Sequence, residues 1–544
     1  MLNKLAFSPV RRDLKIAVTI SAIGTTISVL GLKFESLKLA TIGFFILIIT
    51  LFATRHPIPL VGLGIGLVLI YPSPDPSDLA ARDVHSPVLF ASRLTDGSWP
   101  FSPDLLYSWG FPDTPGLHIH LAIIHHLTNL PLQPQYENVV LAPFLVGLLY
   151  VVVTLLSVYA LARRYSVAPT SLAMAPVLLW IPLYELKTAF RRQSFGIALF
   201  ASLLLYVAVV ARQPRNKWTR PVSYLIPISL VIGHHFSALL SLIAIGTYRS
   251  RLKGHLTRLA IVTGLFFSVW FVLSGYTSFL VIAAVRILSP EGVVTSDTFS
   301  YGLIYILRAH AFKWTYIFIL SIPSLALIIH TAVKSDRNHY INRIAIFVII
   351  LGIIAPLSWF SGILSPYRLM TFYIIAGGWL ALDGPYRIVR RIRSVYGLQV
   401  IVGVLVIISA VTVPLYLVSG GTPDRDNAEL GYRYHDSVYK VAEYSKALPS
   451  DWVVVGDKKV METIVPTTQR GVITAPANIQ NGSIPQNAAL LYASRNAKIY
   501  KGLAPGAGSS TVKYRLRDVV YQFERENRIY DSRTYRVYIA GDNR

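Results

Sequence analysis

The chain has 544 residues, of which 53% are hydrophobic and 14% charged, whereas soluble domains carry about 25% charged residues. It has no cysteine, so disulfides and thiol chemistry are excluded. The formal charge of +24 does not point to nucleic acid, because most Lys and Arg fall in short loops between apolar blocks, where positive charge sets membrane orientation.

The apolar blocks are long enough to cross a hydrocarbon core of about 30 Å as helices. The fold expected is an α-helical multi-pass membrane protein of about 11–13 spans with a small C-terminal α/β outer domain. Spans are expected near 14–32, 37–53, 57–71, 138–162, 166–183, 193–211, 259–275, 314–333, 342–360, 367–383 and 398–418. The first follows MLNKLAFSPVRRDLK with no small-residue cleavage site, so no cleavable signal is expected. Four regions result: N-terminal spans over 1–71, an outer loop over 72–137, a membrane helical domain over 138–418, and an extracytoplasmic α/β domain over 419–544. Alternating the spans puts Arg11, Arg12, Arg163, Arg164, Arg215, Arg251, Arg337 and Arg390 on one side. That side is cytoplasmic by the positive-inside rule. The N-terminus is then cytoplasmic, the C-terminal domain extracytoplasmic, and the location the cell membrane.

The loop over 72–137 is polar and rich in Asp, His, Trp and Pro, and it interrupts the membrane pattern. Its segment LAARDVHSPVLFASRL places Leu79, Val84, Val88, Leu89 and Leu94 as the apolar residues of an interfacial helix broken near Pro87. Asp83 and His85 stand near the start of that helix, with Asp78 just before it. A carboxylate at the membrane face can serve as general base toward a hydroxyl or amide, and burial tunes its pKa toward the working pH. Further on, FPDTPGLHIH is an aromatic and proline turn that feeds an apolar helix. It carries Asp113, His118 and His120, and the two histidines are too close in sequence to share one helical face.

Residues 221–248 lie between two basic loops, and a single span would place those loops on opposite sides. The segment is interrupted by Gly233, His234 and His235. Two half-length helices meeting there would return the chain to its starting side and make His234 and His235 cavity residues. The alternative is one long tilted helix. Three arginines stand against the orientation rule on the outer side: Arg191 and Arg192 in ELKTAFRRQSFG, and Arg368 in LSPYRLMTF. Cations at the outer face can hold a lipid-linked phosphate and stabilise it as a leaving group; snorkelling to headgroups is the plainer use.

The tail after residue 418 loses the membrane composition and alternates β-like runs (WVVVGD, GVITAP, YRVYIAG) with helical patterns at 436–447 and 515–526. Asn481-Gly482-Ser483 is a glycosylation triplet. No internal repeat appears, which disfavours the inverted-repeat transporters. Nor does a glycine-rich phosphate loop, which argues against a nucleotide donor.

With these residues in place, the chain resembles the GT-C superfamily of membrane glycosyltransferases that use polyprenyl-phosphate sugars, such as the protein mannosyltransferases and the aminoarabinose and oligosaccharyl transferases. Arg82-Asp83-Val84-His85 looks like the family's acidic-acidic-Val-His run with the first acid shifted or lost. Thr95-Asp96-Gly97 looks like its small-residue turn, and FPDTPGLHIH like its proline and aromatic turn with His. The tail NRIYDSRTYRVYIAG is similar to outer-domain ends of archaeal proteins of this type. Three spans before the loop exceed the family's usual number, which implies an N-terminal extension. The resemblance implies an inverting sugar transfer with Asp83 as base, Asp78 as second candidate and His85 beside it. Arg191, Arg192, Arg368, His234 and His235 would face the donor phosphate, and Asp113, His118 and His120 would serve the acceptor or loop. The implied partners are a polyprenyl-phosphate sugar donor, membrane lipid, and a protein, lipid or glycan acceptor. No cofactor is required; oligosaccharyltransferases use a divalent metal, and Asp83, His85, Asp113 and His118 are ligand types suited to one, but no spacing specifies it. A transporter or flippase of a lipid-linked or anionic substrate, and a membrane polysaccharide polymerase or ligase, are the competing readings.

Overall fold

In a computed structural model, the residues described are 11–33, 37–54, 56–70, 91, 95, 116–130, 141–166, 168–180, 192–210, 219–248, 255–273, 344, 346–348, 350–351, 366–380, 383, 386, 444–445, 447–456, 472–473, 488–493, 500–503, 511–514, 527–531 and 535–539. The spans expected at 314–333 and 398–418, and the helical pattern at 515–526, lie outside them. So does nearly all of the interfacial segment; its Ala91 and Thr95 are helical.

The chain divides into two compact units. The first comprises residues 1–74, 99–120 and 142–429, and the second 75–98, 121–141 and 430–544. In the first unit α1 (Arg11–Lys33), α2 (Leu37–Thr54) and α3 (Ile58–Ile70) pack on one another. Their approach depends on small residues. A Cβ on Gly43 would run into the backbone and hydroxyl of Ser28, whose Oγ donates to the Gly24 carbonyl at 2.9 Å. Close backbone approach of this kind is how helices associate where lipid removes the hydrophobic drive.

The remaining helices are α4 (Gly116–Thr128), α5 (Leu141–Tyr165), α6 (Thr170–Trp180), α7 (Arg192–Val210), α8 (Thr219–Gly233), α9 (His235–Tyr248), α10 (His255–Leu273) and α11 (Pro366–Gly377), the last followed by a 3-10 turn, Gly378–Leu380. Three described helices contain stretches long and apolar enough to cross a membrane: Leu14–Gly31, Leu145–Tyr165 and Leu256–Leu273. On α10 the exposed residues Ile261, Leu265, Val269 and Val272 recur at helical spacing and form one apolar stripe. Such a stripe suits lipid, because the helix satisfies its own backbone.

The core of this unit joins Phe200 of α7, Phe347 and Phe372 of α11. Phe372 packs edge-on against Phe200 at 5.1 Å and against Phe236 of α9 at 5.6 Å. At the turn between α5 and α6, buried Asp383 accepts hydrogen bonds from Ser166 Oγ at 2.6 Å and from the Ala168 amide at 3.1 Å. The carboxylate thereby satisfies a backbone N–H of the turn.

In the second unit, α4 ends at Asn129, whose left-handed φ of 53° and 2.7 Å bond to the His125 carbonyl close the helix. The strands are β1 (Val453–Gly456), β2 (Val472–Ile473), β3 (Ala488–Ala493), β4 (Tyr500–Leu503), β5 (Thr511–Tyr514), β6 (Asn527–Asp531) and β7 (Tyr535–Ile539). Five of them form a mixed sheet in the order β2-β1-β3-β7-β6. β1 pairs in parallel with β2 and β3, while β7 is antiparallel to β3 and β6. β4 and β5 make a separate antiparallel pair.

Candidate functional site

Residues 219–248 form two helices rather than one, and the break falls at His234. Its amide still bonds to the Leu230 carbonyl at 2.8 Å, and its carbonyl accepts from Ala238 at 3.1 Å. Between them the Ser237 amide donates instead to His234 Nδ1 at 3.2 Å. His234 is thus the N-cap of α9, with its ring doing what Ser or Asp does elsewhere. The break lies level with the first turn of α7, where Phe195 meets Gly233, and with the last turn of α10, where His235 faces Phe271 at 6.3 Å. Both α8 and α9 nevertheless pack along α7 and along α10. The helix is therefore interrupted at His234, and both halves touch the same two neighbours. Neither half alone has the roughly 20 residues a span requires.

Two more helix starts meet this junction. Gly116 opens α4, and a Cβ there would stand 2.8 Å from the Gly233 Cα. Gly196 lies in the second turn of α7, and a Cβ there would stand 2.7 Å from the His234 Cβ. The N-termini of α4, α7 and α9 therefore converge on Gly233 and His234. A helix N-terminus carries a partial positive charge that draws anions, and at this junction three of them meet the C-terminus of α8, which ends at Gly233.

The side chains at the junction are polar in an apolar setting. His118 on α4 is 2% exposed and His235 8% exposed. His120, half-buried, places its Nδ1 2.6 Å from the hydroxyl of Tyr150 on α5. Phe195 lies 6.0 Å from the His120 ring and 5.4 Å from the Tyr150 ring, and links the pair to Gly233. Burial holds the His120 pKa below its ordinary 6.5. Gln193, one residue after the start of α7, is 8% exposed, and its buried amide nitrogen has no hydrogen-bond partner among the described residues.

Of the residues singled out from the sequence, His120, His234 and His235 are brought to this one place, Arg192 opens the α7 that enters it, and His118 is buried on α4. Arg368 stands in the first turn of α11, four residues before the Phe372 that packs on α7 and α9. Asp78, Asp83, His85, Asp113 and Arg191 lie outside the described residues. Tyr150, Gln193 and Ser237 are additions that sequence reasoning did not reach. Among the described residues no group of three or more His, Asp or Glu stands ready for a metal. Asp83 and Asp113, the carboxylates suited to one, lie outside them. No family model matches the chain, and no curated protein matches it.

Proposed function

We propose that this protein is a membrane glycosyltransferase of the GT-C type, which moves a sugar from a polyprenyl-phosphate donor to a protein, lipid or glycan acceptor on the outer face of the cell membrane. The observation that carries the reading is the convergence of three helix N-termini on a histidine-containing helix break in an apolar helical unit. A group with developing negative charge, such as a departing lipid phosphate, is what that electrostatic arrangement favours. Arg192, at the start of α7, adds a fixed cation to the same helix end, with Arg191 and Arg368 as further phosphate ligands. The N-terminus is cytoplasmic, and residues 419–544 form an extracytoplasmic α/β domain.

In the reaction the acceptor oxygen or nitrogen attacks the anomeric carbon while Asp83 takes its proton. The bond from that carbon to the phosphate oxygen breaks, its electron pair leaves with the lipid phosphate, and the anomeric configuration inverts. Asp78 is the second candidate for the base, and His85 lies two residues after Asp83. Asp113, His118 and His120 belong to the loop that meets donor and acceptor. Asp83→Asn keeps the side chain's shape and removes its basicity. It abolishes transfer at unchanged expression, whereas Asp104→Asn leaves transfer nearly intact. Full turnover in Asp83→Asn with loss in Asp78→Asn would reassign the base. Full turnover in both, with anion movement across the bilayer, would make the protein a transporter or flippase.

A further inference from the structure

Every neutral imidazole has one nitrogen that donates and one that accepts, and its partners decide which. Tyr150 is 3% exposed, and the only hydrogen bond its hydroxyl makes among the described residues is to His120 Nδ1, at 2.6 Å. If Nδ1 carried the ring proton, the Tyr150 O–H would be buried without an acceptor among the described residues, which is unfavourable. If Tyr150 donates to Nδ1 instead, the buried hydrogen is satisfied and the imidazole proton stands on Nε2. That nitrogen makes no hydrogen bond among the described residues, and the ring is only half-buried.

The same logic fixes His234. A backbone N–H can only donate, so the 3.2 Å bond from the Ser237 amide makes His234 Nδ1 an acceptor. Ser237 Oγ lies 2.7 Å from the same nitrogen. The neutral His234 ring therefore also carries its proton on Nε2. Gln193 adds a third neutral donor, a buried amide with no partner among the described residues, in the first turn of α7. Neutral N–H groups around helix N-termini suit an oxyanion, because no charged side chain has to be stripped of water first.

We infer that Tyr150 is a positioning residue: it holds His120 as a neutral Nε2–H donor which, with Gln193, grips the phosphoryl oxygens of the ligand at the α8–α9 junction. This rests on the reading that a phosphorylated ligand is seated there. The ligand chemistry is a phosphate ester or free phosphate. The lipid form would be carried in from the bilayer and the free form from water.

Tyr150→Phe is the test variant, because it keeps the ring beside Phe195 and deletes only the hydroxyl. The full-length protein, with ring-15N-labelled histidine, is reconstituted in nanodiscs, and His120 is assigned by difference from His120→Gln. The wild type shows an unprotonated Nδ1 and a protonated Nε2 for His120, and Tyr150→Phe shows a mixture of tautomers. Binding is measured in parallel with polyprenyl phosphate in the nanodisc and with inorganic phosphate in solution. Tyr150→Phe weakens the bound form by about tenfold, as expected for one hydrogen bond to a charged group. Gln193→Leu weakens it likewise, while both variants keep the wild-type thermal transition within error. Response to polyprenyl phosphate alone identifies a lipid ligand, and response to inorganic phosphate alone a soluble one. A proton on Nδ1 in the wild type, or equal binding by wild type and Tyr150→Phe, overturns the inference. Absence of phosphate binding in the wild type overturns both the inference and the reading beneath it. A Tyr150-dependent phosphate site in a protein that transfers no sugar would leave the inference standing and remove the glycosyltransferase reading.

Discussion

Gly116→Ala adds one methyl group where the start of α4 touches the α8–α9 junction. The new Cβ would stand 2.8 Å from the Gly233 Cα, 3.1 Å from the Gly233 nitrogen and 3.1 Å from Phe195 Cε1. Carbon atoms settle at about 3.5–4.0 Å, so the closest contact is short by roughly 0.7 Å or more. The obstructing atoms at 233 are backbone, so no rotamer change removes them. Overpacking of this kind costs about 1–3 kcal/mol. Alanine's helix propensity offsets up to about 1 kcal/mol in a helix interior and less at a first residue. The expected net loss is about 1–2 kcal/mol. Gly246→Ala on α9 is the matched control, because nothing lies within 4 Å of its Cβ and only the propensity gain of about 0.5–1 kcal/mol remains. The assay is the half-life of folded protein in nanodiscs at a fixed high temperature, since membrane proteins of this size unfold irreversibly and are compared by rate. Gly116→Ala shortens it and weakens phosphate binding; Gly246→Ala lengthens it and leaves binding alone. Equal half-lives and equal binding in the two variants would refute the close approach of α4 to the α8–α9 junction.

Asp383→Ala leaves the Ala168 amide without its carboxylate acceptor and removes one of the two acceptors within reach of the Ser166 hydroxyl. It lowers thermal stability by about 1–3 kcal/mol, without changing donor affinity. Arg192→Ala raises the donor Kd at the mouth of α7, by the fold-change that about 2–5 kcal/mol represents, with folding intact. Stability also depends on pH in a stated direction. Burial lowers the His120 pKa from 6.5, so below pH 6.5 the unfolded chain binds a proton that the folded chain resists. The contribution is full above pH 6.5 and is lost as pH falls through the folded value. His56, lowered by burial and then by the Arg163 charge, acts in the same sense. A melting series from pH 8 to pH 5 should therefore fall toward acid, and a rise would contradict the assignment.

The helix break at His234 was legible because Gly233-His234-His235 interrupts an apolar run, a local pattern that does not depend on tertiary contacts. The helix starts at Gly116 and Arg192 were likewise marked, the first by the proline turn before it and the second by the onset of an apolar block. What the pattern could not supply was the partner of each polar group. Tyr150 lies 30 positions from His120 in an apolar helix and reads as an ordinary core aromatic. Gln193 reads as the polar edge of a span, and its significance comes only from burial. His118 and His120, expected to part company on their helix, do so: one is buried at 2% exposure and the other is bonded to Tyr150. The role of Ser237 depends on His234 turning back to cap its own helix, a local choice that neighbouring packing decides.

The central claim is sugar transfer from a lipid phosphate, and the most direct measurement is an assay of purified protein in nanodiscs with a panel of labelled polyprenyl-phosphate sugars and a membrane extract as acceptor. The account predicts that at least one donor loses its sugar to a macromolecular acceptor with wild-type protein, and that Asp83→Asn transfers none while still binding the donor. Donor that crosses the bilayer of proteoliposomes with its sugar still attached, and no labelled acceptor, would contradict it.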